Sequence, residues 1–326
     1  MPDDNTTQPA LVRVWYAIGE WIGAHLMLVV PVMVAVGMLF PEALLPFKPY
    51  IPTFFALMTL QNSLTNDPAA MARALRRPGA LAIIILWVHV VAPVLVWIAA
   101  SLAFGANSPT VAGVVLEYSV PIGTSTVMWV GLFQGDMALG LSALLVSACA
   151  SPFTIPVALK LLVGATISFD TIGMMQSMAF MVAIPALVAT VANALTHGRS
   201  AKLARPTMPV ARLLLPLIVG TNATSLANYV RHPTWQLAGI LLFMLACAMA
   251  SFLVGMAIAR WLDRDNRSRF VATSFCCSIR NVSVGAVLAT QYFGPEALFP
   301  AVITTPFQQV LAALFGKIME QRLGKE

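Results

Sequence analysis

The sequence predicts an all-α polytopic membrane protein, and three observations carry that prediction. Charged residues make up 10% of the 326-residue chain, against about 25% in an average soluble protein. Mean hydropathy is +0.83 over the whole length. Apolar runs of spanning length, roughly 20 residues each, follow one another almost end to end, with short loops between them. A soluble domain with one anchor does not have this profile.

The runs give ten expected spans: 20–40, 50–66, 79–104, 109–133, 137–163, 171–196, 209–229, 234–260, 270–293 and 296–318. The second is the shortest. The third carries His89 before Pro93. The fourth is interrupted at Val120-Pro121-Ile122-Gly123-Thr124-Ser125-Thr126, and the fifth follows a turn at Gln134-Gly135-Asp136. The sixth contains the Met-rich stretch Met174-Met175-Gln176-Ser177-Met178, read as packing. The ninth is interrupted at Ser274-Phe275-Cys276-Cys277-Ser278-Ile279-Arg280-Asn281. No cleavable signal peptide is read near the first span, which is expected to serve in targeting. The whole chain, 1–326, is expected to form one integral membrane domain.

Orientation follows from the basic residues. With a cytoplasmic N-terminus, 15 Lys and Arg fall on the cytoplasmic side, and Lys48, Lys160 and Arg231 make 3 on the other. This asymmetry places both termini in the cytoplasm of an inner membrane. The basic pI of 9.4 therefore reflects topology, and no nucleic-acid partner is expected. Ten spans divide into five plus five. Pro31 and Pro185, Pro52 and Pro206, and Pro152 and Pro306 are each 154 residues apart. The same offset brings the two interruptions together. An odd number of spans per half inverts the second half, giving expected repeats at about 15–164 and 170–320.

Main chain unwound inside a bilayer is tolerated where it lines a protein cavity, and paired interruptions in two halves mark a transporter's binding site. In the fourth span, Pro121 removes a backbone donor and Gly123 loosens the chain. Thr124, Ser125 and Thr126 then offer hydroxyls beside a half-helix N-terminus suited to an anion. The alternative is a proline kink packed against its neighbours. In the ninth span Arg280 has about ten residues on either side, and an arginine at such depth costs several kcal/mol, roughly 3 on insertion scales. It faces a cavity or a carboxylate, or else snorkels to the interface. Ser278, Asn281 and Ser283 surround it.

Glu117 lies about one turn before Pro121 and either pairs with Arg280, takes up protons or reaches the interface. His89 is a candidate proton carrier or a core histidine with a backbone partner. Gln61, Asn62 and Asn66 in the second span, and Asn222, Thr224 and Asn228 in the seventh, form a similar pair of polar clusters. They line a site or simply tie helices together. Gln308 and Gln309 follow Pro306 with the same two readings. The four cysteines fall within apolar segments, with no disulfide framework and no metal-ligand spacing. No phosphate-binding loop, zinc-protease motif or serine-hydrolase elbow is present, so ATP-driven transport and hydrolysis are not expected.

Pro121-Ile122-Gly123-Thr124-Ser125-Thr126, followed without a gap by Gly135-Asp136, resembles the Pro-Gly-Gly-Thr-Ala-Ser-Asn…Gly-Asp signature of the bile acid:sodium symporter family. Ser278-Ile279-Arg280-Asn281 stands where that family has Gly-Met-Gln-Asn. Leu75-Arg76-Arg77-Pro78 and the span centred on Pro93 are also similar. The resemblance implies ten helices in two inverted five-helix repeats, a panel and a core domain, and helices 4 and 9 crossing at their breaks beside a cavity for organic anions. It departs at the sodium positions. Thr126-Val127 replaces Ser-Asn, Cys276 replaces a Glu, and Arg280 replaces a Gln. A valine side chain cannot coordinate sodium and a thiol is a poor hard-cation ligand. The chain is also similar to arsenite-efflux permeases around Trp129…Gly135-Asp136, but Ile122 stands where those carry a cysteine, which disfavours arsenite.

The expected function is secondary transport of a small organic anion by alternating access, without an enzymatic step or cofactor. Thr124, Ser125, Thr126, Ser278, Arg280 and Asn281 are the expected contacts. Glu117, His89, Gln61 and Gln308 are the coupling candidates. Sodium coupling is doubted because Arg280 brings a fixed charge; proton coupling or uniport are alternatives, and an ion channel is the rival class. The expected assembly is a monomer or a homodimer in the bilayer.

Overall fold

The computed structural model describes residues 9–66, 78–164, 168–227 and 234–323. Asn228, Arg231 and the run from Arg73 to Arg77 lie outside them. Among the described residues the chain is helical throughout, and its β-type pairing is one isolated antiparallel bridge, Ile122 to Arg280.

The helices are α1 (Ala10–Ala24), α2 (Leu26–Leu39), α3 (Pro41–Ser63), α4 (Pro78–Phe104), α5 (Pro109–Ser119), α6 (Ser125–Leu132) and α7 (Met137–Leu162). Then come α8 (Thr171–Leu195), α9 (Ser200–Leu226), α10 (Trp235–Leu262), α11 (Arg267–Ser278), α12 (Val282–Tyr292) and α13 (Pro295–Leu323). Among the described residues, α3, α4, α7, α8, α9, α10 and α13 are the seven long and apolar enough to cross a membrane, and α1 with α2 forms an eighth candidate bent by 86°. The protein is thus an integral, multi-pass membrane protein.

Two expectations about the first spans are corrected. The run expected as one span over 20–40 turns sharply at His25, whose φ of −110° and ψ of 17° leave the helical region. The amphipathic α1 then packs on α9. Trp15 Nε1 donates to the Pro206 carbonyl at 3.0 Å, and Arg205 lies 5.5 Å over the Tyr16 ring. The second span begins at Pro41, not near 50, with a 3₁₀ stretch Leu45–Tyr50 around Pro46 and Pro49. Proline supplies the fixed φ that tolerates such a tight start.

Capping residues set several other helix starts. Ser108 accepts from Thr110 N, Asp136 from Leu139 N at 3.0 Å, Asp170 from Gly173 N at 2.9 Å and Asn266 from Arg269 N at 3.0 Å. Asp136 thus occupies the turn assigned to it. Helix α4 carries a π-helical turn at Trp87–Val91 just ahead of Pro93, and α8 carries one at Ala179–Ala183 ahead of Pro185. Each proline lacks the N–H that would bond four residues back, and the wider turn accommodates the lost rung.

Two groups of helices result. In one, α9 packs against α1, α2 and α3, and α3 against α8. In the other, α4 lies on α5, α10 on α11, α13 on α5, α10 and α12, and α7 on α5, α6 and α11; α8 also packs along α7 and so joins the two groups. Close backbone approach tightens both groups. A Cβ on Gly113 of α5 would collide with the Ala297 carbonyl of α13, and one on Gly37 of α2 with the Gly220 carbonyl of α9. Small residues at such crossings are how helices associate in lipid, where the hydrophobic effect supplies no attraction.

Candidate functional site

Both predicted interruptions are present but shorter than expected: Ser125 and Thr126 open a helix, Ser274 to Ser278 are still helical, and the breaks proper, 120–124 and 279–281, meet. Helix α5 ends with the Val120 N–H donating to Leu116 O. Val120 itself is extended (φ −63°, ψ 155°), the conformation that Pro121 imposes on its predecessor. Helix α11 ends the same way, with Ile279 N–H donating to Phe275 O and Ile279 extended (φ −96°, ψ 123°). The two extended strips pair: Gly123 N–H donates to Ile279 O at 3.2 Å, and Asn281 N–H to Pro121 O at 2.8 Å. A Cβ on Gly123 would lie 2.6 Å from the Arg280 carbonyl oxygen, so this pairing needs glycine there.

Side chains complete what the broken ladders leave open. Gln308 of α13 holds both backbone polar groups of Arg280: the Arg280 N–H donates to Oε1 at 2.8 Å, and Nε2 donates to the Arg280 carbonyl at 2.9 Å. On the other strip, Ile122 N–H donates to Ser147 Oγ of α7 at 3.0 Å. Ser147 in turn is 2.8 Å from His89 Nε2, and His89 Nδ1 is 2.8 Å from Thr154 Oγ1, which donates to Ala150 O at 3.2 Å. One order of donors gives every hydrogen an acceptor. Thr154 donates to the carbonyl and accepts from His89 Nδ1–H, and Nε2 accepts from the Ser147 hydroxyl. This assigns a neutral imidazole with its proton on Nδ1. The π-helical turn places His89 in this chain of bonds.

Beside the crossing lies a cavity of about 140 Å³. Gly123, Thr124, Ser125, Asn281, Val282 and Ser283 bring to it the N-terminal ends of α6 and α12, whose first N–H groups have no partner within their own helices. Thr305, Gln308 and Gln309 of α13 add polar groups, and Val30, Leu215 and Val219 of α2 and α9 close the opposite wall. Gln309 is held in place by Trp129 Nε1, which donates to its Oε1 at 2.9 Å, and its Nε2 donates to Ser125 Oγ at 3.3 Å. A smaller cavity of about 30 Å³ lies among Asn62, Ser63, Asn66, Ile122, Thr124 and Asn281. Thr124 and Asn281 therefore border both spaces.

The predicted residues divide by place. Thr124, Ser125, Asn281 and Gln308 line the larger cavity. Arg280 borders it, but its three guanidinium nitrogens are buried and have no hydrogen-bond partner within the protein. Thr126 is fully buried, its hydroxyl likewise unpartnered, and Ser278 spends its hydroxyl on Ser274 O and Ser251 O. Neither is among the residues lining the cavity. Gln61 donates to Ala204 O at 3.1 Å, joining α3 to α9. Glu117 is 0% exposed, and both of its carboxylate oxygens lack a protein partner. Ser147, Thr154 and Thr305 were not singled out from sequence. A lone hydroxyl on an apolar helix carries no signal separating it from the many that bond to their own backbone.

The chain is 29% identical over 295 residues to the uncharacterized protein YbaS of Bacillus subtilis (strain 168), covering 90% of this chain and 96% of that protein. It is 27% identical over 271 residues to a probable sodium/metabolite cotransporter, BASS3, chloroplastic, of Oryza sativa subsp. japonica, covering 82% of this chain and 62% of that one. It is 22% identical over 315 residues to the uncharacterized sodium-dependent transporter YocS of Bacillus subtilis (strain 168), covering 95% of each. The family model described as Sodium Bile acid symporter family matches residues 52–233, a stretch that takes in the first break and the helices on either side of it. With its broken α5–α6 lying inside that match, the chain belongs to the sodium bile acid symporter family.

Proposed function

We propose that this transporter moves a small organic anion across the inner membrane by alternating access, and that it does so without sodium. The observation that carries the reading is the convergence of two half-helix N-termini, α6 and α12, on one cavity that also holds the amides of Gln308 and Gln309. Each N-terminus presents about half a positive charge and unpaired N–H groups. A carboxylate there replaces its lost hydration with fixed donors. Thr124, Ser125 and Asn281 are the proposed contacts, and Arg280 acts through its field, since its guanidinium is buried behind the cavity wall.

The proposed architecture is ten spans in two inverted five-helix repeats, with both termini cytoplasmic. It counts α1–α2 as one bent span and α5–α6 and α11–α12 as two broken ones. The group containing α1–α3, α8 and α9 is the panel, and the remaining helices are the core. The same order supports it in each half: a long helix (α4 or α10), a broken one, then another long helix (α7 or α13). The cavity lies between the two groups, so sliding of the core against the panel opens it to alternate sides.

Sodium independence rests on Val127, Cys276 and Arg280, which stand where sodium-using relatives of the resemblance have oxygen ligands. A guanidinium also repels a cation nearby. The test is uptake of labelled monocarboxylates into proteoliposomes with sodium replaced by choline. Undiminished uptake is expected. Uptake that collapses in choline, with the same sodium dependence in Arg280→Gln, overturns the charge-replacement reading.

A further inference from the structure

The structure assigns Trp129 and Gln309 as positioning residues that turn the Ser125 hydroxyl into a hydrogen-bond donor towards the cavity, where it meets a carboxylate oxygen of the transported anion. This deepens the transport reading above and rests on it. Trp129 Nε1 lies 2.9 Å from Gln309 Oε1, and Gln309 Nε2 lies 3.3 Å from Ser125 Oγ. An indole N–H only donates, and so does an amide NH₂. The indole therefore fixes which way the amide faces, with its oxygen to Trp129 and its nitrogen to Ser125. Ser125 Oγ then accepts from the amide, and its own hydrogen is left for another partner.

Among the described residues that hydrogen has no acceptor. A serine inside a helix commonly spends it on the carbonyl four residues back, as Ser119 does on Val115 and Ser142 on Ala138, both at 2.7 Å. Ser125 is the first residue of α6. Four residues back from it is Pro121, in the unwound strip, whose carbonyl accepts the Asn281 N–H across the crossing. Ser125 borders the larger cavity beside Thr124 and Asn281. Its hydrogen is available to whatever occupies that space.

The opposite arrangement shows what Trp129 prevents. With the amide turned over, Ser125 gives its hydrogen to Oε1 and offers the cavity only lone pairs, which repel a carboxylate. That arrangement sets Nε2 against the indole N–H, two donors facing each other across 2.9 Å with no acceptor between them. The indole is held in place by stacking on Phe133 and Phe275, with ring centroids 6.2 and 6.4 Å away. Trp129 follows Ser125 by four residues on α6 and so lies on the same face of that helix, while Gln309 comes from α13. All three belong to the core group, so the donor keeps its direction when the core moves against the panel.

The test is a double-mutant cycle on uptake kinetics in proteoliposomes, with labelled pyruvate, lactate and glycolate as probes. Trp129→Phe keeps an aromatic ring in the stack and removes the N–H. Its expected effect is a KM raised about tenfold for the best-transported probe, the scale of one hydrogen bond to a charged group, with kcat little changed. Ser125→Ala is expected to raise KM by a similar factor. In the Ser125→Ala background, Trp129→Phe is expected to add nothing, because its effect passes through the hydroxyl. A merely structural role for the ring would instead give losses that multiply. Should Trp129→Phe not reach the membrane, Gln309→Leu takes its place in the cycle and is expected to lose most of its effect once Ser125 is alanine. An unchanged KM in the single variants, or losses that multiply in the double variant, overturns the inference and leaves the transporter reading standing. No uptake of any of the three probes by the unmodified protein overturns both.

Discussion

Gln308 illustrates how much of this site depends on single side chains. Its amide satisfies the N–H and the carbonyl of Arg280, which belong to two successive peptide units in the break. Gln308→Leu leaves these two groups buried and unpaired, a loss of about 1–3 kcal/mol for each. A lower unfolding temperature in detergent is the expected result, whereas Gln309→Leu, which frees only side-chain atoms of Trp129 and Ser125, is expected to cost less. Ser147→Ala removes the acceptor of Ile122 N–H and the donor to His89 together. Its expected effect is of similar size, about 1–3 kcal/mol, and a double-mutant cycle with His89→Leu is expected to be strongly non-additive because both residues belong to one bonded chain.

At the scale of the element, the crossing is two helices that stop for one another. Gly123→Ala places a methyl group against the Arg280 carbonyl, a backbone atom that cannot rotate away. The expected outcome is loss of transport with the protein still inserted in the membrane, read by uptake against surface labelling. Gly113→Val forces α5 away from α13, where a Cβ already collides with Ala297. Overpacking of this kind costs typically about 1–3 kcal/mol, measurable as a fall in thermal stability. Elsewhere proline punctuates elements without ending them: the π-helical turns before Pro93 and Pro185 absorb the missing rung.

For the whole molecule, the two helix groups face each other across the cavity, with Val30, Leu215 and Val219 on one side and Val282, Ser283 and Ala286 on the other. Motion of one group against the other requires those faces to separate. In a protein with its four cysteines replaced, Val30→Cys with Ser283→Cys, bridged by a short thiol cross-linker that reductant cleaves, is expected to stop uptake. Reduction is expected to restore it. Uptake that continues through the cross-link would rule out sliding of the two groups as the transport motion.

The sequence by itself determined that the chain is helical and membrane-embedded, because composition and run length are properties of residues before they fold. It also located both interruptions. Their physical causes differ. The first is written locally: Pro121 has no N–H, holds Val120 extended and is followed by Gly123. The second contains neither proline nor glycine between Ser274 and Asn281, and local propensity does not end a helix at Ser278. That end is fixed by partners distant in sequence, the Ile122 strip and the Gln308 amide, which bond the freed backbone. Tertiary structure alone likewise decided that Arg280 is enclosed while Thr124 and Asn281 reach the cavity, that Ser278 bonds to backbone, and that Ser147 and His89 support the break. Which way a side chain points at an unwound residue depends on the strand it pairs with, and that strand comes from the other half of the chain.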